Sequence, residues 1–371
     1  VGRPADVVVI GAGIIGCAVA RELARRGQQV SILDDRPIGA GATQASGGML
    51  APYSEAADGG LLLDLAIRSL DLYDRFVADV EDDSGMRVGY ERSGTLHVAR
   101  VEESVAALAT LHDAIAGRGA ASEQLTSDQV RALEPNLAPD VFGGLFIPSQ
   151  GLVSALDLTC ALAEAALRRG ARRAESSVVR RVSAHGDLVE IETTNGIVSA
   201  QFAVLAAGAW SGQIEIAGAA RVPVRPVRGQ LLHLGWNGTP LARITWDDRC
   251  YLVPWRDGTL LVGATVEDAG FEEGTTVAGV RDLLEAACDL VPHAWTANLL
   301  SVRSGLRPAA PDPLPIVGWS AAVPGLMYAT GHYRNGILLA PLTAQVVGDA
   351  IVSGRRDPAS EVMAPGRFGQ L

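Results

Sequence analysis

The sequence predicts an α/β fold, in which a parallel sheet covered by helices is joined to a second domain built on a mostly antiparallel sheet. Three stretches carry that expectation: an apolar run closed by three glycines at residues 7–16, an apolar run ending in an acid at Asp34, and closely spaced alternating segments at residues 221–304. The first reads V-V-V-I-G-A-G-I-I-G, and its apolar residues suit a parallel strand buried on both faces. Gly11 permits the tight turn, Gly13 lets backbone N–H groups approach a pyrophosphate, and Gly16 lets the next helix pack closely on the strand. That helix should run from residue 14 to about residue 26, with Ile15, Val19 and Leu23 inward and Gly27 as its C-cap. Its N-terminus favours negative charge. A second strand at residues 30–33 ends at Asp34, where an acid is needed for ribose hydroxyls. The glycine pattern alone is weak; strand, glycines, helix, second strand and acid together predict a Rossmann-like dinucleotide unit. They do not separate FAD from NAD.

The 371 residues could hold two or three domains. A hydrophobic fraction of 48% and a mean hydropathy of +0.20 are high, yet no apolar run approaches the ~20 residues of a membrane helix. The first apolar run passes at once into glycines, with no basic leader or cleavage site, so no signal peptide is expected. A net charge of −11 argues against nucleic acid and anionic membrane as partners. Cys17, Cys160, Cys250 and Cys288 are scattered without metal spacing, which suggests buried thiols in a reducing cytoplasm and no metal site. The chain has no lysine, so its 31 fixed cations are all arginine.

After Asp34, residues 37–52 are too rich in glycine and small residues for a regular element, and would let backbone come close to a large flat ligand. Leu65, Leu72, Phe76 and Val80 share one helical face that ends near Gly85. Residues 86–150 read as short strands around Tyr90 and Val98, a helix with Val105, Leu108 and Leu111, and turns around Pro135 and Pro139. Ser154 and Asp157 have capping-box spacing and open a helix reaching Gly170. Three strands follow at 176–182, 188–194 and 197–208, with Asn195-Gly196 as a hairpin turn. The last of them ends in A-A-G-A-W, small residues that permit close approach to a ligand. Alternation at 224–234, 249–255 and 259–266 predicts antiparallel strands able to wall a pocket. A final helix should reach about Gly354, with Gly336 at an N-terminus suited to an anion or a polarised carbonyl.

Six of these pieces resemble, in order and over almost the whole chain, the D-amino acid oxidase superfamily of flavoenzymes, and within it the glycine oxidases of the thiamine pathway. They are V-V-I-G-A-G-I-I-G, A-S-G-G-M-L-A-P (45–52), V-L-A-A-G-A-W (204–210), C-Y-L-V-P (250–254), G-L-R-P (305–308) and G-H-Y-R-N-G-I-L-L-A-P (331–341). The resemblance implies a discontinuous FAD-binding domain at 1–85, 151–220 and 305–371, and a substrate domain at 86–150 and 221–304. It implies FAD held by Gly11, Gly13, Gly16 and Asp34, with Thr43, Ser46, Gly47, Gly48 and Met49 near the flavin ring and Val179 near the adenine. Ala207, Gly208 and Trp210 would border the cofactor. Gly331, His332, Arg334, Asn335, Gly336, Ile337 and Leu338 would run beneath the ring, although His332 could equally be a satisfied core histidine. Related sarcosine oxidases tether FAD to a cysteine shortly before the position of Pro308; here S-V-R-S-G-L-R has none, so non-covalent FAD is expected.

Oxidising an amino acid by hydride transfer requires a carboxylate held so that the Cα–H faces the flavin. A guanidinium matches that carboxylate bidentately, and Arg307 is the choice, with Tyr251 adding a hydroxyl donor and Arg334 a second cation. No side-chain base is needed if the amine arrives neutral. The expected reaction takes glycine or an N-substituted glycine to an imine that hydrolyses to glyoxylate, with O₂ reduced to hydrogen peroxide. Arg249 stands where glycine oxidases often carry His, two places before the tyrosine. At the pocket mouth it would suit a second carboxylate on the substrate; pointing outward it would be a surface charge. A D-amino acid or sarcosine-type dehydrogenase feeding a carrier and a non-catalytic nucleotide-binding protein remain alternatives, and a homo-oligomer is possible.

Overall fold

The computed structural model describes residues 5–55, 60–174 and 177–371, so the first serine of the strand expected at 176–182 lies outside them. The leading strand Ala5–Ile10 lies between two parallel neighbours, with Val9 opposite Ile32 of Val30–Leu33 on one side and Val204 of Gly196–Leu205 on the other. Its alternate residues enter different cores. Val7 and Val9 join the cluster of the helices Ile14–Arg25, Ala155–Arg168 and Gly336–Ser353, while Val8 and Ile10 join Leu33, Val182, Ile191 and Tyr328 on the opposite face. The apolar run Val7–Ile10 of this strand thus buries both faces. Beside the outer half of Gly196–Leu205 runs Leu326–Thr330; beside its inner half lies the meander of Leu188–Thr193 and Val179–His185.

The second sheet runs in the order Asn298–Ala309, Arg225–Gly235, Thr259–Gly263, Tyr251–Pro254, Ile244–Trp246, Thr95–Ala99, Gly143–Ile147, Glu123–Thr126. Every pairing is antiparallel except Ile244–Trp246 with Thr95–Ala99. Residue 305, expected to begin a return to the first domain, lies inside the continuous strand Asn298–Ala309. That strand packs against the short turns Ala42–Ala45 and Gly208–Gln213, which brings the edge of this sheet onto the glycine-rich loop.

Several elements differ from expectation. The helix through Leu65 and Val80 is two helices, Gly60–Asp71 and Tyr73–Ser84, and Ser69 and Tyr73 on either side of the break both donate to carbonyls of the C-terminal helix. Ser154 does not form a capping box, because the backbone N–H that Asp157 would accept from is given to Gly89 O at 2.7 Å. A capping box joins Thr126 and Gln129 instead. The helix Val277–Leu290, capped by Thr276, interrupts the stretch read as strands. Residues 37–52 hold the 3₁₀ turn Ala42–Ala45 and the two-residue strand Met49–Leu50.

The helix Gly336–Ser353 has the bounds expected from the sequence but is more apolar than expected. Among the described residues it is the one helix long and apolar enough to cross a membrane, with a mean hydropathy of 1.5 over 18 residues, but 67% of it is buried inside the protein. Its apolarity is that of a core helix, most of whose length packs inside the protein.

Candidate active site

The first turn shows why its glycines are there. Gly11 has φ +112°, and a Cβ on it would sit 2.4 Å from Ala206 O; a Cβ on Gly16 would sit 1.9 Å from Gly11 O. Gly13 is open by comparison, its nearest neighbour being Thr43 Oγ1 at 3.6 Å. The helix Ile14–Arg25 has no bond from its N-cap residue and no acid in its first turn; Ile14 N donates to Thr43 Oγ1 (3.2 Å), and the rest of its N-terminus is left available to a pyrophosphate. Asp34 braces the turn: Oδ2 accepts from Ala12 N (2.6 Å) and Oδ1 from Arg36 N (2.8 Å). Burial raises the Asp34 pKa despite both bonds, and each oxygen keeps a lone pair for a ribose hydroxyl.

An elongated cavity runs from this turn to the second sheet. Gly11, Gly13, Asp34, Thr43, Ser46, Gly47, Gly48, Met49, Val179, Ala207, Gly208, Trp210, His332, Arg334, Gly336 and Ile337 line it, as do Tyr251 and Arg307. Arg36 covers the Trp210 ring at 4.2 Å beside the same end. Four expected cofactor residues do not line it. Gly16 serves helix–strand packing, Gly331 (φ +73°) faces Ala310 and Ile316, and Leu338 is buried with its carbonyl accepting from Ser69. Asn335 is the buried N-cap residue of the C-terminal helix; its side chain makes no cap bond, and its Oδ1 has no hydrogen-bond partner among the described residues. Gly336 and Ile337 therefore present a second uncapped helix start to the cavity. The residues fit a dinucleotide: two helix starts, a glycine turn and a carboxylate with free lone pairs face one cavity.

His332 lines the cavity, while its Nε2 pairs with Thr343 Oγ1 at 3.0 Å as expected of a satisfied core histidine. Burial pushes its pKa down to about 3. The unfolded chain takes up this proton near pH 6.5 and the folded one does not, so the stabilisation is complete above 6.5 and is lost as pH falls toward 3. We expect a loss of about 2 kcal/mol by pH 5 from this residue. Urea titrations at pH 7 and 5 check it, and His332→Gln should shrink the difference by about that amount, leaving the part due to His97, whose burial pushes its pKa down to about 4.

At the far end, glycines clear room for two side chains. A Cβ on Gly263 would lie 2.3 Å from the Tyr251 ring and one on Gly47 2.9 Å from it; a Cβ on Gly229 would lie 2.3 Å from the Arg307 guanidinium. Tyr251 is buried against the edge of Trp246, and burial pushes its phenol up to about 12, so it stays a neutral donor. Arg307 Nη1 donates to Thr265 O (3.0 Å) and Arg228 O (3.3 Å), which leaves the rest of its fork to the cavity. Arg334 reaches Glu55, with Nε 2.8 Å from Oε2.

Glu55 was missed by sequence reasoning. It lines the cavity and is nearly buried, yet a single glutamate three residues beyond A-S-G-G-M-L-A-P carries no spacing signal. Arg249 is corrected in the other direction. Asp247 Oδ1 accepts from the backbone N–H groups of Arg249 and Cys250, and this turn swings Arg249 outward into an ion pair with Asp289, away from the cavity. The strand begins only at Tyr251, so the two-residue period does not extend back to Arg249.

Residues 6–350 match the family described as FAD dependent oxidoreductase. The chain is 37% identical over 367 residues to the bifunctional protein ThiO/ThiG of Nostoc sp., covering 95% of this chain and 53% of that protein, so it spans about half the length of such relatives. Among solved structures it is similar to glycine oxidase from Geobacillus kaustophilus (TM-score 0.93, 33% identity, 98% of each chain). It is also similar to iminodiacetate oxidase from Chelativorans sp. BNC1 (TM-score 0.88, 26% identity, 97% of this chain and 98% of that one).

Proposed function

The chain belongs to the FAD-dependent oxidoreductase family, and on that premise we propose that it is an amino-acid oxidase acting on glycine or a small N-substituted glycine. The observation that carries this reading is Arg307, whose guanidinium is fixed by two backbone carbonyls and opens into the cavity that begins at the glycine turn. Its free N–H groups hold the substrate carboxylate, and Tyr251 donates to the same oxygens, so the amine-bearing carbon is directed along the cavity. FAD, when bound, would supply the two-electron acceptor for the Cα hydride, with O₂ as the final oxidant giving hydrogen peroxide. The uncapped start of the C-terminal helix favours negative charge arising beside it. The amine reacts neutral and asks no base of the protein, and the imine product hydrolyses to glyoxylate and ammonia or the N-substituent amine.

None of the four cysteines lines the cavity, which supports FAD held without a covalent bond. The similarity to glycine oxidase supports glycine, and that to iminodiacetate oxidase supports a wider class of N-substituted glycines. Arg249 no longer argues for a second carboxylate, because Asp289 holds it outside.

The purified protein should be yellow, release flavin into acid, and evolve peroxide with glycine or sarcosine. A colourless protein would refute the cofactor assignment, and turnover only with an added electron carrier would make it a dehydrogenase.

A further inference from the structure

We infer that Glu55 sets the charge of the substrate: by neutralising Arg334 it leaves Arg307 as the cation offered to an anion, and so selects amines with one carboxylate over amines with two. The inference rests on the amino-acid oxidase reading above.

The charged side chains lining the cavity among the described residues fall into two groups. Asp34, Asp35 and Arg36 lie at the glycine turn, where Arg36 is paired with Glu273. Glu55, Arg307 and Arg334 lie at the other end. Without Glu55 that end would present two guanidinium groups, an arrangement suited to a dicarboxylate. With it, the net charge is that of one cation.

Glu55 closes the short helix Pro52–Glu55, and its side chain is 7% exposed while that of Arg334 is 34% exposed. A carboxylate so buried needs a charged partner, and Arg334 provides it through Nε to Oε2 (2.8 Å) and Nη2 to Oε1 (3.2 Å). The contact is imperfect: Oε2 has no donor aligned on it among the described residues. Burial raises the Glu55 pKa, whereas Arg334 and then Arg307 lower it, so both guanidinium groups act on this carboxylate. Glu55 also acts electrostatically on Tyr251, and the two line the same cavity.

A substrate carboxylate on Arg307 neutralises the remaining cation. A second carboxylate, carried on the nitrogen, would then have to displace Glu55 from Arg334 or lie against its negative charge, and either outcome disfavours the dianion. Removing the charge while keeping the shape frees Arg334 and reverses that preference.

The test uses the flavin-loaded protein. Acetate and malonate are titrated against the flavin absorbance, and sarcosine and iminodiacetate are compared as substrates by peroxide release. Wild type should bind malonate no more tightly than acetate. Glu55→Gln should raise the ratio of malonate to acetate affinity tenfold or more, and lower KM for iminodiacetate relative to sarcosine by a similar factor with kcat changing less. Glu55→Asp, which keeps the charge, should retain the wild-type preference, and Arg334→Gln added to Glu55→Gln should erase the gain.

Equal changes for both anions in Glu55→Gln would overturn the inference, as would a wild type that already prefers malonate; the latter reading needs no variant to fold. If no amine turns over in wild type, the oxidase reading fails, and the acetate and malonate titrations still decide the role of Glu55.

Discussion

Replacing Arg307 by alanine is expected to leave a folded, flavin-containing protein whose kcat/KM toward carboxylated amines has fallen a hundredfold or more. A carboxylate that loses its charged partner forfeits ~3 kcal/mol or more of binding, and every ~1.4 kcal/mol is tenfold. The fold should survive, because the side chain's own bonds go only to the carbonyls of Arg228 and Thr265, and truncating it leaves space continuous with the cavity it lines, through which water can reach them. Flavin should also survive, since the glycine turn and Asp34 stand at the opposite end of the cavity. Arg307→Lys should recover only part of the loss: one ammonium cannot both reach the carbonyls and present a planar fork. The loss should appear in KM as well as kcat, because the guanidinium holds the ground-state carboxylate and orients the reacting carbon. Wild-type kinetics in the alanine variant would remove Arg307 from the site.

What the sequence made legible was local. The leading strand, its glycines, the helix Ile14–Arg25 and Asp34 lie within 30 residues, where spacing alone fixes which groups meet. Arg307 and Tyr251 were recognised from matched motifs, and the structure brings them into one cavity although they lie on non-adjacent strands of the second sheet. Glu55 was invisible because its significance is its partner, Arg334, which is 279 positions away. Periodicity left Arg249 open between the pocket mouth and the surface, and the turn held by Asp247, before the strand begins at Tyr251, puts it at the surface. Gly143 and Gly144 open the strand Gly143–Ile147, for which the sequence shows no turn or strand signal; a Cβ on Gly144 would meet His97 O and the Val130 side chain at 2.7 Å, so the residue is small for packing. The helix Val277–Leu290 carries helical spacing in Leu283, Ala286, Ala287 and Leu290, but neighbouring alternation masked it.

Gly16→Ala is expected to have the other large effect, on the cofactor site rather than the substrate end. The added Cβ would lie 1.9 Å from Gly11 O and 2.9 Å from Gly11 C, both backbone atoms of the turn itself. No rotamer change relieves a clash between two backbones, so the helix Ile14–Arg25 must move off the leading strand. That movement displaces the N–H groups intended for the pyrophosphate and opens the packing of Cys17, Val19 and Leu23, all fully buried. Overpacking of this kind costs about 1–3 kcal/mol or more. The variant should therefore purify with little or no flavin and with a lowered Tm. Gly13→Ala separates the two consequences, because its Cβ would meet nothing closer than Thr43 Oγ1 at 3.6 Å. It should keep the Tm of the flavin-free protein yet lose flavin, since the methyl stands where the pyrophosphate must approach. Flavin-to-protein absorbance ratios and thermal melts of both variants, each stripped of cofactor and reloaded, distinguish these outcomes. Full flavin content in Gly16→Ala would show that the first turn does not hold the phosphates in this way.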